Sequence, residues 1–203
     1  VSIEEIKDFP VRGFKSRKIT KAITSLYGVK VGYDENDGQT IKYHYYPVTR
    51  KSKTVGYERR EVAEKNFIAV GSVKNSDELF GQSVFPAGSC KRLVITEGAL
   101  DAMSVQQVYK DKEQEWAVVS VINGAGNAHK QIASNLEYVN AFDEVVFLFD
   151  ADEQGKDGAE VCAKIVRTGK AKIGTLGRYG KDASDYLVAE HNYELEKAIW
   201  NAE

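Results

Sequence analysis

The chain has three prolines, two cysteines and one methionine among its 203 residues. With so little proline, and 17 glycines that follow no period, collagen-like and linker-like chains are excluded. Cys90 and Cys162 lie far apart and form no Cys-x-x-Cys pair, so no structural zinc is expected. A disulfide framework is not expected either, and a reducing compartment fits best. No run of 18 apolar residues exists, so no membrane span is expected. No basic segment leads into an apolar one at the start, so no secretory leader is expected. Met103 is the sole methionine and the chain opens on Val1, so a piece of a longer protein is expected. There is no internal repeat and no low-complexity segment.

What is present is enough for a packed core: 42% apolar and 29% charged residues. The length suits one domain or two small ones. Net charge is only −2, yet it is unevenly spread. Residues 1–92 hold 17 Lys and Arg against 11 Asp and Glu, while residues 93–203 hold 11 against 19. That asymmetry suggests a front half that binds polyanions and a back half that holds cations, against the plainer reading of scattered solvated charge.

The back half alternates between strand-like and helix-like segments. Apolar runs at 92–96, 116–122, 144–149 and 171–176 predict strands. Helical spacing follows each, at 100–108, 128–139, 158–167 and 186–200, the last with a break near His191 and Asn192. Strands without polar alternation are buried on both faces, which predicts a parallel sheet with βαβ crossovers. The front half reads differently. A helix is expected over 16–26, then strands at 29–33 and 40–46 flanking the turn signal Asn36-Asp37-Gly38. Arg50, Lys51, Lys53, Arg59 and Arg60 read as exposed basic loops, followed by a strand over 66–70. The expected division is an α+β basic subdomain at 1–88 and an α/β subdomain at 89–203.

Acidic residues fall at the carboxyl ends of the predicted parallel strands, where ligands gather in such sheets. Glu97 closes one strand and Asp101 stands one helical turn later. Asp150 closes another, with Asp152 two positions on and pointing to the same side of an extended segment. Carboxylates so close raise one another's pKa, and a hard divalent cation relieves the repulsion. Alternatives fit less well. An EF-hand loop starting at Asp150 needs Glu where Val161 stands. Gly124-Ala-Gly126 lacks the third glycine of a dinucleotide loop, and neither GxxxxGK[ST] nor GxSxG occurs. His44, His129 and His191 leave a Ser–His–Asp arrangement open, but none stands at a strand end.

Two motifs together carry more than either alone. One is a strand, then Glu97-Gly-x-x-Asp101, then a helix. The other is a strand, then Asp150-x-Asp152-x-x-Gly155, then a helix, with one βα unit between. This arrangement resembles the TOPRIM domain of primases, topoisomerases and some nucleases. Asp77-Glu-Leu-Phe-Gly81, Ser120-Val-Ile-Asn-Gly-Ala125 and Gly180-Lys-Asp-Ala-Ser-Asp185 extend the resemblance to the primase half of phage primase–helicases and their Twinkle-like relatives. The resemblance implies a TOPRIM parallel sheet flanked by helices and preceded by the small basic subdomain. It implies a DNA primase that makes short RNA primers on single-stranded DNA from nucleoside triphosphates.

Roles follow by motif. Glu97 is implied as a metal ligand or general acid/base, Asp150 and Asp152 as the metal pair, Asp101 as their support, and Asp182 as a further ligand. The cofactor implied is Mg²⁺ or Mn²⁺, as two ions about 3.5–4 Å apart. Arg59, Arg60, Lys65, Lys74, Asn123, Gly124, Lys156 and Lys181 are implied nucleotide or DNA contacts. Implied partners are a helicase domain and a zinc-binding domain, in a phage replisome in host cytoplasm or, for a Twinkle-like protein, in mitochondria. Two departures stand out: Ala99 replaces a second Glu of close phage relatives, and Asn123 replaces a His of some. The zinc ribbon that selects template sites in phage primases does not occur in these residues. Tyr43, Tyr45, Tyr46 and Tyr57 offer stacking faces, but alternation on a strand reads first as packing. Competing readings are a TOPRIM nuclease or topoisomerase fragment, a non-catalytic single-strand-binding module, and a flavodoxin-like domain with coincidental acids.

Overall fold

The computed structural model describes residues 1–110, 112 and 116–203. A short helix α1 (Ile3–Lys7), closed by a Ser2–Glu5 capping box, leads into a 3₁₀ turn (Lys15–Arg17) and helix α2 (Lys21–Leu26). The single helix expected over 16–26 is therefore broken. Phe14 and Ile19 exchange backbone hydrogen bonds of 2.8 and 3.2 Å across the turn, and Lys18 takes a left-handed φ of 55°. Burying Phe14 and Ile19 outweighs helix propensity there.

Four antiparallel strands follow in sheet order: β1 (Lys30–Tyr33), β2 (Ile41–Arg50), β3 (Lys53–Glu61) and β4 (Phe67–Gly71). The expected hairpin at Asn36-Asp37-Gly38 joins β1 to β2, with Gly38 at φ 63°. The basic segment read as loops is largely strand β3. It joins β2 through Lys51 and Ser52, both at positive φ (51° and 60°). A two-residue turn of this kind usually uses Asn or Gly, so the sequence carried no signal for it.

The second half forms a parallel sheet in the order β6 (Ala117–Ser120), β5 (Arg92–Thr96), β7 (Glu144–Leu148), β8 (Ala171–Ile173). All five residues of β5 and all four of β6 are buried, as continuous apolar runs require. Side chains alternate between two cores. Val94, Val118, Val146 and Leu148 face α3 (Ala99–Lys110), α7 (Ala183–Val188) and α8 (Asn192–Trp200). Leu93, Ile95, Val145 and Phe147 share a core with residues of α4 (Ala125–Ser134), α5 (Leu136–Asn140) and α6 (Glu153–Ile165). The break expected near His191 separates α7 from α8, whereas α6 starts five residues earlier than its apolar spacing suggested.

Asp77-Glu-Leu-Phe-Gly81 seams the two sheets together. Phe80 exchanges backbone hydrogen bonds of 2.9 and 3.1 Å with Ser120, extending the parallel sheet's edge. Asp77 is buried and accepts from Arg50 Nε at 2.7 Å. The Tyr27 hydroxyl donates to the Val118 carbonyl at 2.7 Å, and its ring stacks on Phe80.

Candidate metal centre and basic cleft

The carboxyl ends of β5 and β7 bring the acids together. The turn after β5 is held by Thr96, whose hydroxyl donates to the Gly98 carbonyl at 3.0 Å. The backbone N–H of Asp150 donates to Glu97 Oε2 at 3.1 Å, so the two motifs touch directly. Asp101, Asp150 and Asp182 each present an oxygen, all within 4.8 Å of one another. Asp101 is buried, with Oδ1 accepting from the Ser184 N–H at 3.0 Å. Asp182 caps α7 by accepting from the Asp185 N–H at 2.8 Å, and Asp152 caps α6 by accepting from the Gly155 N–H at 2.8 Å.

The glycines of both motifs have steric reasons. A Cβ at Gly155 would lie 2.2 Å from the Asp150 carbonyl oxygen, because the first turn of α6 sits on that backbone. A Cβ at Gly98 would lie 3.1 Å from Asp101 Oδ2.

Electrostatics follow from this crowding. Burial, then the charges of Asp182 and Asp150, hold the Asp101 carboxyl well above the usual carboxylate range. Asp150 is pushed up to about 6, by burial first and by Glu97 next, with Lys181 pulling partly back. Lys181 Nζ stands 2.9 Å from Asp152 and 3.2 Å from Asp150. Its hydrogen bond holds Asp152 below the ordinary value and raises its own. Three oxygen donors with surplus negative charge, partly stripped of water, suit a hard divalent cation.

Of the acids named from sequence, the tight group is thus Asp101, Asp150 and Asp182. Glu97 adjoins it through the Asp150 backbone, and Asp152 stands outward, clipped by Lys181. Asp101, expected as support, is the most buried of the three.

The nucleotide-contact candidates scatter more. Arg60 and Arg59 are neighbours on β3 and so face opposite sides of the sheet. The Arg59 guanidinium lies 4.7 Å from the Tyr43 ring centroid. Lys65, at φ 53°, lies between β3 and β4. Lys74 is exposed, its N–H donating to Asp77 at 2.7 Å. Lys156 is exposed on α6, Gly124 (φ 68°) precedes α4, and Asn123 donates to Asn75 at 2.7 Å. Tyr45, Tyr46 and Tyr57 are buried packing residues.

Sequence reasoning missed a cleft of about 960 Å³ that Leu100, the residue before Asp101, helps to line. Arg12, Lys15, Arg17, Lys18, Lys21 and Arg60 line it, with no Asp or Glu among its lining residues. The signal was five cations and no acid within residues 12–21, a density overlooked in favour of helix periodicity. His44, also in the lining, is held neutral: burial first, then Arg60 and Arg17, lower it to about 3. Arg17 Nη1 donates to Ser184 Oγ at 3.3 Å, and the backbone of Ser184 holds Asp101. Buried Ser184 therefore links a cation of the cleft lining to the carboxylates.

A family model described as Toprim-like matches residues 94–187. A DNA helicase/primase of Enterobacteria phage T3 is 33% identical over 139 residues, 68% of this chain and 23% of that protein. The chain is a homologue of the phage primase–helicases and carries their Toprim-like domain. It spans about a quarter of the length of the phage T3 relative. The primase fragment of the bacteriophage T7 primase–helicase superposes with a TM-score of 0.83 at 28% identity, covering 94% of this chain and 75% of that one. A bacteriophage T7 assembly, in which primase domains of two gp4 subunits are bound to an RNA/DNA hybrid and dTTP, gives 0.80 at 29% identity, covering 95% and 92%. The fold is thus that of a primase, as the motifs implied. The Toprim-like match contains Glu97, Asp101, Asp150, Asp152 and Asp182, whereas the cleft cations at 12–21 and Arg60 precede it. Among the described residues no helix is long and apolar enough to cross a membrane.

Proposed function

We propose that this chain is the primer-synthesising module of a phage primase–helicase, joining nucleoside triphosphates into short RNA on a single-stranded DNA template. The observation that carries this reading is the link through Ser184 from Arg17, in a cleft lined by cations, to Asp101 in a cluster of three carboxylates.

Each group has a task in nucleotidyl transfer. Asp101, Asp150 and Asp182 hold Mg²⁺ or Mn²⁺, which, when bound, supplies charge neutralisation to the triphosphate and the attacking oxygen. Ser184 fixes the Asp101 carboxylate from behind, so its oxygens are oriented before substrate arrives. Glu97 spends one oxygen on the Asp150 N–H and keeps the other for taking a proton from the primer's 3′-hydroxyl. Lys181, half-exposed, neutralises Asp150 and Asp152 and can swing to a phosphate. Arg12, Lys15, Arg17, Lys21 and Arg60 bind the phosphates of template and nucleotide without base preference. Residues 1–88 act as the template- and nucleotide-holding subdomain and residues 89–203 as the catalytic one. A helicase domain and a zinc-binding domain are its partners, in the cytoplasm of an infected cell.

The test supplies single-stranded template, a dinucleotide primer, nucleoside triphosphates and Mg²⁺ or Mn²⁺. The expected result is extension that disappears in Asp150→Asn and Asp101→Asn. Absence of extension in the wild type overturns the reading, and DNA cutting in its place would assign the same acids to a nuclease.

A further inference from the structure

The antiparallel sheet carries a row of side chains that runs from the cleft to its edge strand, and the last of them, Phe67, has no part in the roles above. His44 on β2 pairs with Arg60 on β3, and Arg60 pairs with Phe67 on β4. Directly opposed residues project to the same face, and neighbouring strands lie about 4.8 Å apart, so the three form a continuous band across the sheet. At one end, Phe14 stacks on His44 at 3.8 Å with the rings nearly parallel. In the middle, Arg60 lines the basic cleft, and its guanidinium lies 5.7 Å from the Phe67 ring centroid. At the other end Phe67 is 50% exposed on the sheet's edge strand. Phe67 thus presents a half-exposed aromatic ring next to a cation that lines the cleft.

Resting on the functional reading above, we infer that Phe67 is a base-stacking platform for the single strand as it leaves the cleft. The cleft holds the phosphates, Arg60 stands at the junction, and the Phe67 face receives a base of any identity. Polynucleotide is the occupant that fits, because it alone supplies regularly spaced anions for the cleft and flat apolar faces for the ring. Phe67 is read as a binding residue and touches no reacting atom.

The test measures fluorescence anisotropy of a labelled oligo-dT and of an abasic strand of equal length, with the whole chain. Phe67→Ala and Phe67→Leu should each weaken oligo-dT binding roughly 5- to 100-fold, the span expected for one stacked base. Abasic binding should stay within about twofold, because phosphates alone remain to be held. Unchanged melting temperatures show that both variants fold. Phe67→Trp should restore oligo-dT affinity. Equal loss on both strands, no loss on oligo-dT, or rescue by Phe67→Leu overturns the platform while leaving the functional reading intact. A wild type that binds neither strand overturns that reading and the platform together.

Discussion

Replacing Asp150 by Asn should stabilise the metal-free protein, because the wild-type fold holds that carboxylate against its preference. Its ordinary value is 3.8, and burial with Glu97 pushes it up to about 6. A raised carboxylate destabilises the fold once the pH exceeds both values. Here the wild type loses stability as pH rises from 3.8 through 6 and stays lower above that. The full shift corresponds to about 3 kcal/mol. Residual solvent at the half-buried side chain reduces the expected gain to about 2 kcal/mol at pH 8, or about 4–8 °C in melting temperature. Urea denaturation of both proteins in chelator at pH 8, 6 and 4 measures this. The gap should be largest at pH 8, narrow through pH 6 and nearly close at pH 4. An Asn variant no more stable than wild type at pH 8, or a gap indifferent to pH, would refute the crowding.

Three further outcomes are expected. Gly155→Ala places a Cβ 2.2 Å from the Asp150 carbonyl oxygen, so it should destabilise by about 3 kcal/mol or more in denaturant titration, whereas Lys156→Ala should be near neutral. Arg60→Ala should lower the salt dependence of single-strand binding by about one unit of log–log slope, and Arg59→Ala on the opposite face should change it less. Lys181→Met removes the cation beside Asp150, so a ¹³C-detected titration should place that carboxyl above about 6.

How far the sequence disclosed all this differs between the halves. The parallel sheet was legible because β5 and β7 are buried on both faces, so their apolar runs are continuous. Glu97 and Asp150 were legible because strand ends can be counted. The three-carboxylate group was only partly so. Spacing put Asp150 and Asp152 together, yet Asp152 turns away to cap α6, and Asp182 arrives from the loop after β8. Their meeting depends on how α3 packs against α7, which no local pattern encodes. In the front half, β3 was read as loop because the β2–β3 turn uses Lys51 and Ser52, and because alternating Arg59 and Arg60 look merely basic until the sheet separates their faces. The cleft was hidden for a related reason: its cations border a turn that the Phe14–His44 stack holds in place.

The most direct measurement is Mn²⁺ uptake, followed by electron paramagnetic resonance of the free ion, in wild type and in Asp101→Asn, Asp150→Asn and Asp182→Asn. On the proposed function, wild type removes Mn²⁺ from solution and each substitution weakens uptake by at least about tenfold. Wild-type protein that leaves the ion free even with nucleoside triphosphate present, or three variants that bind it as wild type does, would contradict a metal centre at these carboxylates.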